Sequence, residues 1–449
     1  MIELDIAVVG GGFSGCVVVA QLARHAPAGL SLGLFEPGEL GRGAAYGTAH
    51  GEHLLNTRAE AMSLFPDDSD HFVRWLGGRA KPREFVARRL YGEYVAQNAT
   101  RALERARFTH VADRAARIYR SQDGRFVVES GSGTRFRASA IVLATGNLPP
   151  NDGFLPREIR LHPGYVADPW RFDYRRVGGH VLVVGSGLTA LDALSALESC
   201  GHRGSVHVVS RRGRFPEAHA DVAPYDVIPA LDTRDARALL RSFRRHVADA
   251  ARRGFDWRSV VDAVRPEAEA IWRRLPPSEQ RRFERHLRGH WERRRHRAPQ
   301  QVDAVRQRYS ANRRLFVYSG TVAGMQSGVV TLALRDGSTA QLNADWIVNC
   351  TGLARGSAFA RDPLLGEMLA AGSISVASSN MGLRVTNELA AIGESGATTQ
   401  GLWIVGPLVR GSRFEATAVP ELRVMAEQAA GEVLNALAGG RQSLVGSGG

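Results

Sequence analysis

Cysteine is scarce in this chain. Three occur in 449 residues, Cys16, Cys200 and Cys350, and no two stand in a C-x-x-C or C-x4-C spacing. That argues against a disulfide framework, a cysteine-rich zinc site and a redox-active dithiol. Lysine is scarcer still, with Lys81 the sole example. No apolar run approaches the roughly 20 residues that span a bilayer. The first apolar run is broken by glycines and lacks a basic flank, so it reads as a strand and not as a signal peptide. The expectation is a cytoplasmic protein with no membrane partner and no bound metal.

What is present fits a globular enzyme-sized chain. It is 44% hydrophobic and 23% charged, and its length predicts two or three domains. The formal net charge is +13, and residues 231–310 supply most of it, with 21 arginines against 11 acidic side chains. Concentrated in one helical stretch, this excess reads first as a solvated helix face, with a functional anionic contact as the alternative. No nucleic-acid partner is expected, and a homo-oligomer is left open.

Strand and helix patterns alternate. Residues 3–10 form an apolar strand that stops at glycines. A helix follows at 13–25, then the strand "LSLGLFE" (30–36). Helical patterns at 68–77 and 84–105 lead to "RFTHVAD", "RFVVES" and "RFRASAIVLATG". The break "NLPPNDG" follows. A second cycle opens at 180 with a strand, a glycine turn, a helix at 188–200 and "SVHVVSRR" (205–212). Residues 234–311 look helical. Strands resume with "RLFVYSGTV", "VVTLALRD", "TAQL" and "DWIVNCTG". The last strand is "GLWIVGP" (401–407), and a helix at 419–438 precedes a Gly/Ser tail. The fold predicted is α/β, with parallel sheets covered by helices on both faces.

The two glycine turns carry the chemistry. Gly10, Gly12 and Gly15 satisfy G-x-G-x-x-G, with Ser14 inside the motif. Gly10 permits the turn, Gly12 lets backbone amides approach a pyrophosphate, and Gly15 lets the helix pack on the strand. The helix start adds unpaired N–H groups. Glu36, at the end of the next strand, is placed to accept ribose hydroxyls. An offset of 175 residues carries Gly10 to Gly185, Gly12 to Gly187 and Gly15 to Ala190. The same offset carries Glu36 to Arg211. A carboxylate there would repel a 2′-phosphate, whereas Ser210, Arg211 and Arg212 would bind it. The chain is therefore read as binding two dinucleotides, FAD at the first turn and NADPH at the second, with NADH as the alternative donor.

With these motifs the sequence resembles flavoproteins that carry two dinucleotide-binding domains. Thr145-Gly146 and Thr351-Gly352 match the two strand ends of that group. The resemblance implies an FAD domain at 1–165 and 346–449, and an NAD(P)H domain at 166–345 with a helical insertion at about 231–311. Without a cysteine pair the chain departs from the disulfide reductases. Residues 162–172, "HPGYVADPWRF", match the F-x-G-x-x-x-H-x-x-x-[FYW] stretch of flavin monooxygenases only at Gly164 and Phe172. His162 replaces the aromatic and Asp168 the histidine. That departure argues against a ketone-oxidising enzyme.

Residues 41–68, 291–300 and 406–423 resemble a bacterial FAD/NAD(P)-binding group that includes FAD-dependent urate hydroxylation. The resemblance implies a monooxygenase that uses NAD(P)H and molecular oxygen, through a flavin C4a-hydroperoxide, on a small nitrogen-containing substrate such as urate. An N-hydroxylase of an amine or amino acid, and a reductase passing electrons to a protein, are the alternatives. The irregular 41–66 segment is expected beside the flavin, with Arg42, Tyr46, His53, Asn56 and Arg58 as donors. Asn56 and Arg413 are the candidate catalytic residues. Gly406 and Ala418 are expected to close the flavin site, and Arg410 and Glu415 to contact substrate. His290, Trp291, His296 and Arg297 fall in the insertion, which reads as a lid.

Overall fold

The computed structural model describes residues 1–150, 152–227, 231–352 and 355–446. Residues 447–449 of the expected tail lie outside it. Fifteen strands occur among the described residues. In chain order they are β1 (Ile2–Val9), β2 (Leu32–Phe35), β3 (Thr109–Val111), β4 (Ala115–Arg120), β5 (Phe126–Ser130), β6 (Arg135–Leu143), β7 (Tyr165–Val166), β8 (Val181–Val184), β9 (Val206–Ser210), β10 (Leu315–Gln326), β11 (Val329–Leu334), β12 (Thr339–Asn343), β13 (Trp346–Asn349), β14 (Ala390–Ile392) and β15 (Thr398–Ile404).

They form two sheets in two compact units. One unit comprises Met1–Thr48, Thr57–Leu148 and Ala354–Gly449. The other comprises Ala49–Asn56 and Pro149–Leu353. The α/β class expected from the alternating pattern is the class observed.

The first unit holds the order β14-β15-β6-β1-β2-β3, with β5 paired to β6 and β4 to β5. β1 lies between β2 and β6, parallel to both, with Val9 opposite Phe35 on one side and Leu143 on the other. Ile6, Ala7 and Val8 are fully buried. Such a run, apolar on both faces, belongs to a sheet covered on both sides. Helix Phe13–His25 leaves the first turn at the positions its pattern predicts. Helices Arg88–Ala106 and Val419–Gly446 pack against it.

The second unit holds the order β12-β11-β10-β9-β8-β13-β7. β7, β13, β8, β9 and the first half of β10 run parallel. The second half of β10 turns to pair antiparallel with β11. Helix Leu188–Ser199 buries Leu191, Leu194 and Leu197 against a core that also takes Val302, Val305 and Tyr309 from helix Gln300–Ala311. That last helix is thus part of the crossover from β9 to β10. The helices Ala236–Arg252, Trp257–Val264, Ala268–Arg274, Pro277–His286 and Arg288–Arg295 precede it. Part of this stretch gathers round a smaller core of Tyr225, Ala250 and Val260. Among the described residues no helix is long and apolar enough to cross a membrane.

Candidate functional site

The first glycine turn is tight for a visible reason. Gly10 has φ +104°, and a Cβ there would lie 2.5 Å from the Ala144 carbonyl oxygen. A Cβ on Gly15 would lie 1.9 Å from the Gly10 carbonyl oxygen. Gly12, which caps the helix, is different: a Cβ there would meet nothing nearer than the Gly43 Cα, at 3.7 Å. Its absent side chain leaves open space over the turn. Ser14 is buried, and a Cβ on Gly406 would lie 2.6 Å from its Oγ.

Glu36 binds this turn together. Its Oε2 accepts the Gly11 amide at 2.8 Å and its Oε1 the Gly38 amide at 3.0 Å. A carboxylate has about four acceptor sites, so capacity remains for a hydroxyl. Beside Gly10, the Thr145 hydroxyl is buried and has no hydrogen-bond partner. A buried orphan hydroxyl, an open glycine cradle and a helix start with free amides together suit a dinucleotide pyrophosphate and ribose.

The second turn repeats the backbone. Gly185 has φ +109°, and a Cβ there would lie 2.2 Å from the Cys350 carbonyl oxygen. Around Gly187 nothing lies within 4 Å of a Cβ position. Ala190 is fully buried, and its amide bonds back to the Gly187 carbonyl at 3.1 Å. The Ser186 hydroxyl lies 2.8 Å from both the Ser210 Oγ and the Arg214 carbonyl oxygen. The turn is thereby tied to the end of β9. Arg211 and Arg212 are exposed, and neither has a carboxylate within ion-pair distance among the described residues. The Thr351 hydroxyl donates to Asn349 Oδ1 at 2.7 Å. Gly146 and Gly352, after the two strand ends, have φ +77° and +84° with open space around them.

Other expected residues occupy more ordinary places. Tyr46 is buried against Tyr91 and Phe13, with ring centroids 4.9 and 6.3 Å away. Burial pushes its phenol up to about 12. Asn56 belongs to the second unit and Arg413 to the first. The Asn56 carbonyl oxygen lies 3.0 Å from His219 Nε2. The Arg413 guanidinium donates to the Asn387 carbonyl and lies 3.5 Å from Gln428 Oε1. Arg410 is buried, its Nε donating to the Met381 carbonyl at 3.3 Å, and Glu415 is buried as well. The Ala418 carbonyl accepts from the Leu422 amide at 2.9 Å and so starts the final helix. Asp168 accepts the Trp170 amide at 3.0 Å in a local turn.

In the insertion, burial opposes ionisation of Glu292, but His296 and Arg288 overcome it and hold the carboxyl well below its usual range. Among the described residues no group of three or more His, Cys, Asp or Glu is placed to hold a metal ion.

Comparison with known proteins agrees with this geometry. Residues 7–148 match the model of a family described as FAD-NAD(P)-binding. The chain is 33% identical over 124 residues to ferredoxin–NADP reductase 2 of Cupriavidus necator, a match covering 25% of this chain and 31% of that protein. It thus spans about a third of the length of the curated relatives it matches.

Solved structures resemble it almost end to end. An FAD-bound cadaverine monooxygenase of Erwinia amylovora has a TM-score of 0.64 at 13% identity, covering 96% of this chain and 94% of that one. The ornithine hydroxylase of Pseudomonas aeruginosa has a TM-score of 0.62 at 14% identity, covering 97% and 100%. A bacillithiol disulfide reductase of Bacillus cereus has 0.58 at 14%, covering 96% and 99%. At these identities the likeness shows a shared fold.

Proposed function

We propose that this protein is a flavin-dependent monooxygenase, with FAD at the first turn and NADPH at the second, acting on a small polar nitrogen-containing substrate. The carrying observation is the pair of near-identical glycine turns followed by opposite charges, Glu36 and Arg211. The cysteines support this reading over dithiol chemistry. Cys16 and Cys350 are buried, and burial pushes the Cys16 thiol up to about 12 and that of Cys350 higher still. Burial thus disfavours the thiolate that dithiol exchange needs.

The bound flavin supplies hydride acceptance and oxygen activation. This chain's residues supply position. The amides from Gly12 to Ser14 would hold the first pyrophosphate, Glu36, which already accepts the Gly11 amide, would accept ribose hydroxyls, and the Thr145 hydroxyl would donate or accept beside them. Gly185, Gly187 and Ala190 would form the second seat, and Ser210, Arg211 and Arg212 would hold the 2′-phosphate. The first-turn amides of the final helix, next to Ala418, offer partial positive charge for developing negative charge. Arg413, held by Asn387 and Gln428, is the group proposed to orient an anionic substrate.

Urate is the first compound to test. An amine or amino acid is the second, because the structural neighbours include enzymes named for cadaverine and ornithine. The purified protein is expected to be yellow with non-covalent FAD. It should oxidise NADPH faster when the substrate is added, with labelled oxygen appearing in the product. Peroxide release with no organic product would show urate to be an uncoupling ligand. NADPH oxidation that requires a protein acceptor, with no oxygen incorporated, would replace the monooxygenase by an electron-transfer reductase.

A further inference from the structure

The stretch between β9 and β10 brings cations to the loop that leaves β9. Helix Arg288–Arg295 lies directly on that loop. A Cβ on Gly289 would sit 2.8 Å from Arg212 Nη1, so the missing side chain is the notch that takes the guanidinium. The two segments are strapped together. Glu217 pairs with Arg293 through its side chain, and its amide donates to the Arg293 carbonyl at 3.0 Å. The Ala298 amide donates to the Glu217 carbonyl at 2.8 Å, and the His219 amide to the Ala298 carbonyl at 2.9 Å. At the loop's other end, the Arg214 carbonyl meets the Ser186 hydroxyl of the glycine turn.

The strapping concentrates positive charge. His290 is held below the ordinary imidazole range, first by burial and then by Arg212, Arg294, Arg214 and Arg293. Glu217 answers Arg293. The charge of Glu217 also reaches Arg294, whose Nη1 lies 3.4 Å from the His290 carbonyl oxygen and whose guanidinium lies over the Trp257 ring; Arg212 and Arg214 have no carboxylate within ion-pair distance among the described residues. Like charges gathered this way are favoured by an anion that joins them, and guanidinium groups suit phosphate through paired N–H donors.

We propose that helix Arg288–Arg295 is the second wall of the 2′-phosphate site, with Arg214 and Arg294 joining Arg212 on the phosphate and Gly289 making the room Arg212 needs. The proposal rests on the NADPH reading given above. It gives the basic helical stretch a specific ligand in place of a general solvated face.

The test is calorimetric titration of the full-length protein with adenosine 2′,5′-bisphosphate and, separately, adenosine 5′-monophosphate. The unmodified protein should bind the bisphosphate more tightly. Arg294→Ala should lower that affinity about tenfold, as for loss of one charged hydrogen bond, and leave the monophosphate unchanged. Gly289→Leu should do the same by displacing Arg212. Because leucine is a better helix former than glycine, its melting temperature should not fall, which separates a filled notch from a damaged fold. Unchanged bisphosphate affinity in both variants, with the preference of the unmodified protein intact, would overturn the second wall and leave the NADPH reading standing. Equal binding of the two nucleotides by the unmodified protein, or binding of neither, would overturn the NADPH reading and the wall with it.

Discussion

At the first turn the helix-capping glycine has φ −71° and ψ −164°; at the second it has φ −82° and ψ −167°. Gly10 and Gly185 differ by a few degrees, and each backs onto the carbonyl that ends a neighbouring strand. The surroundings are where the turns part. Gly15 faces a carbonyl that excludes a methyl group, while the equivalent Ala190 carries one. Glu36 gathers two amides, while Arg211 is exposed. The Thr145 hydroxyl is an orphan, while Thr351 is bonded to Asn349. The shared part is a seat for a pyrophosphate of any dinucleotide. The unshared part, one strand further on, selects which one.

The largest expected break in this symmetry comes from the third motif position. Gly15→Ala drives a methyl into a backbone carbonyl and should cost about 3 kcal/mol together with the flavin. Ala190→Gly should cost about 0.5–1 kcal/mol, the price of helical glycine, and keep NADPH binding. Melting curves with flavin absorbance decide it. A yellow Gly15→Ala protein melting with its parent would mean the two positions do not differ.

Next comes Arg211→Ala. It should weaken NADPH use by about 1.5–3 kcal/mol with NADH little affected, read as kcat/KM for each donor. Equal loss with both would remove Arg211 from the phosphate.

The threonines sharpen the comparison further. Thr351→Val loses a bond within the protein and should lower stability by about 1 kcal/mol. Thr145→Val loses none, so its melting temperature should hold while flavin dissociates faster. The opposite pattern would mean that the orphan hydroxyl serves folding.

The smallest effect is one of pH. Burial, the main cause in each case, holds His202, His207 and His290 below the ordinary imidazole range in the second unit, and His71 in the first. A folded pKa below the unfolded value of about 6.5 means that the unfolded chain binds more protons as pH falls through that value. Stability is then full above pH 6.5 and declines below it toward the folded pKa. Hydrogen exchange at pH 5 should open β8 and β9 before β1 and β6.

Much of this was legible from local pattern. Apolar runs such as "IAVV" and "VLVV" announce strands covered on both faces, and the helix Phe13–His25 follows from its glycine start. Other elements lack such a signal. β4 carries Arg117 and Arg120 among few buried residues, and β14 has three residues, too short to show a period. Helix Pro363–Ala370, capped by Asp362 on the Leu365 amide, sits in a stretch with no repeat to mark it. At the site, Tyr46 is expected as a donor from its place in the irregular segment after β2, and what local pattern does not show is the packing of its ring against Tyr91 and Phe13. Arg294 gave no signal, since in an arginine-rich helix one useful guanidinium reads like the rest. The strap through Glu217 holds its neighbour Arg293 and the notch at Gly289 takes Arg212, so it is the placing of the whole helix Arg288–Arg295 that the structure adds.

The division into units has a consequence for synthesis. The first unit holds β1, but the parallel partner that completes β6 is β15, residues 398–404, and the helix that packs against Phe13–His25 begins at Val419. The second unit has its last strand by Asn349. As the chain leaves the ribosome, the later sheet can close while Ile141–Leu143 of β6 in the earlier one still wait for β15. The unit begun first is thus finished last, and a truncation near the C-terminus should spare the second sheet while leaving the first exposed to aggregation.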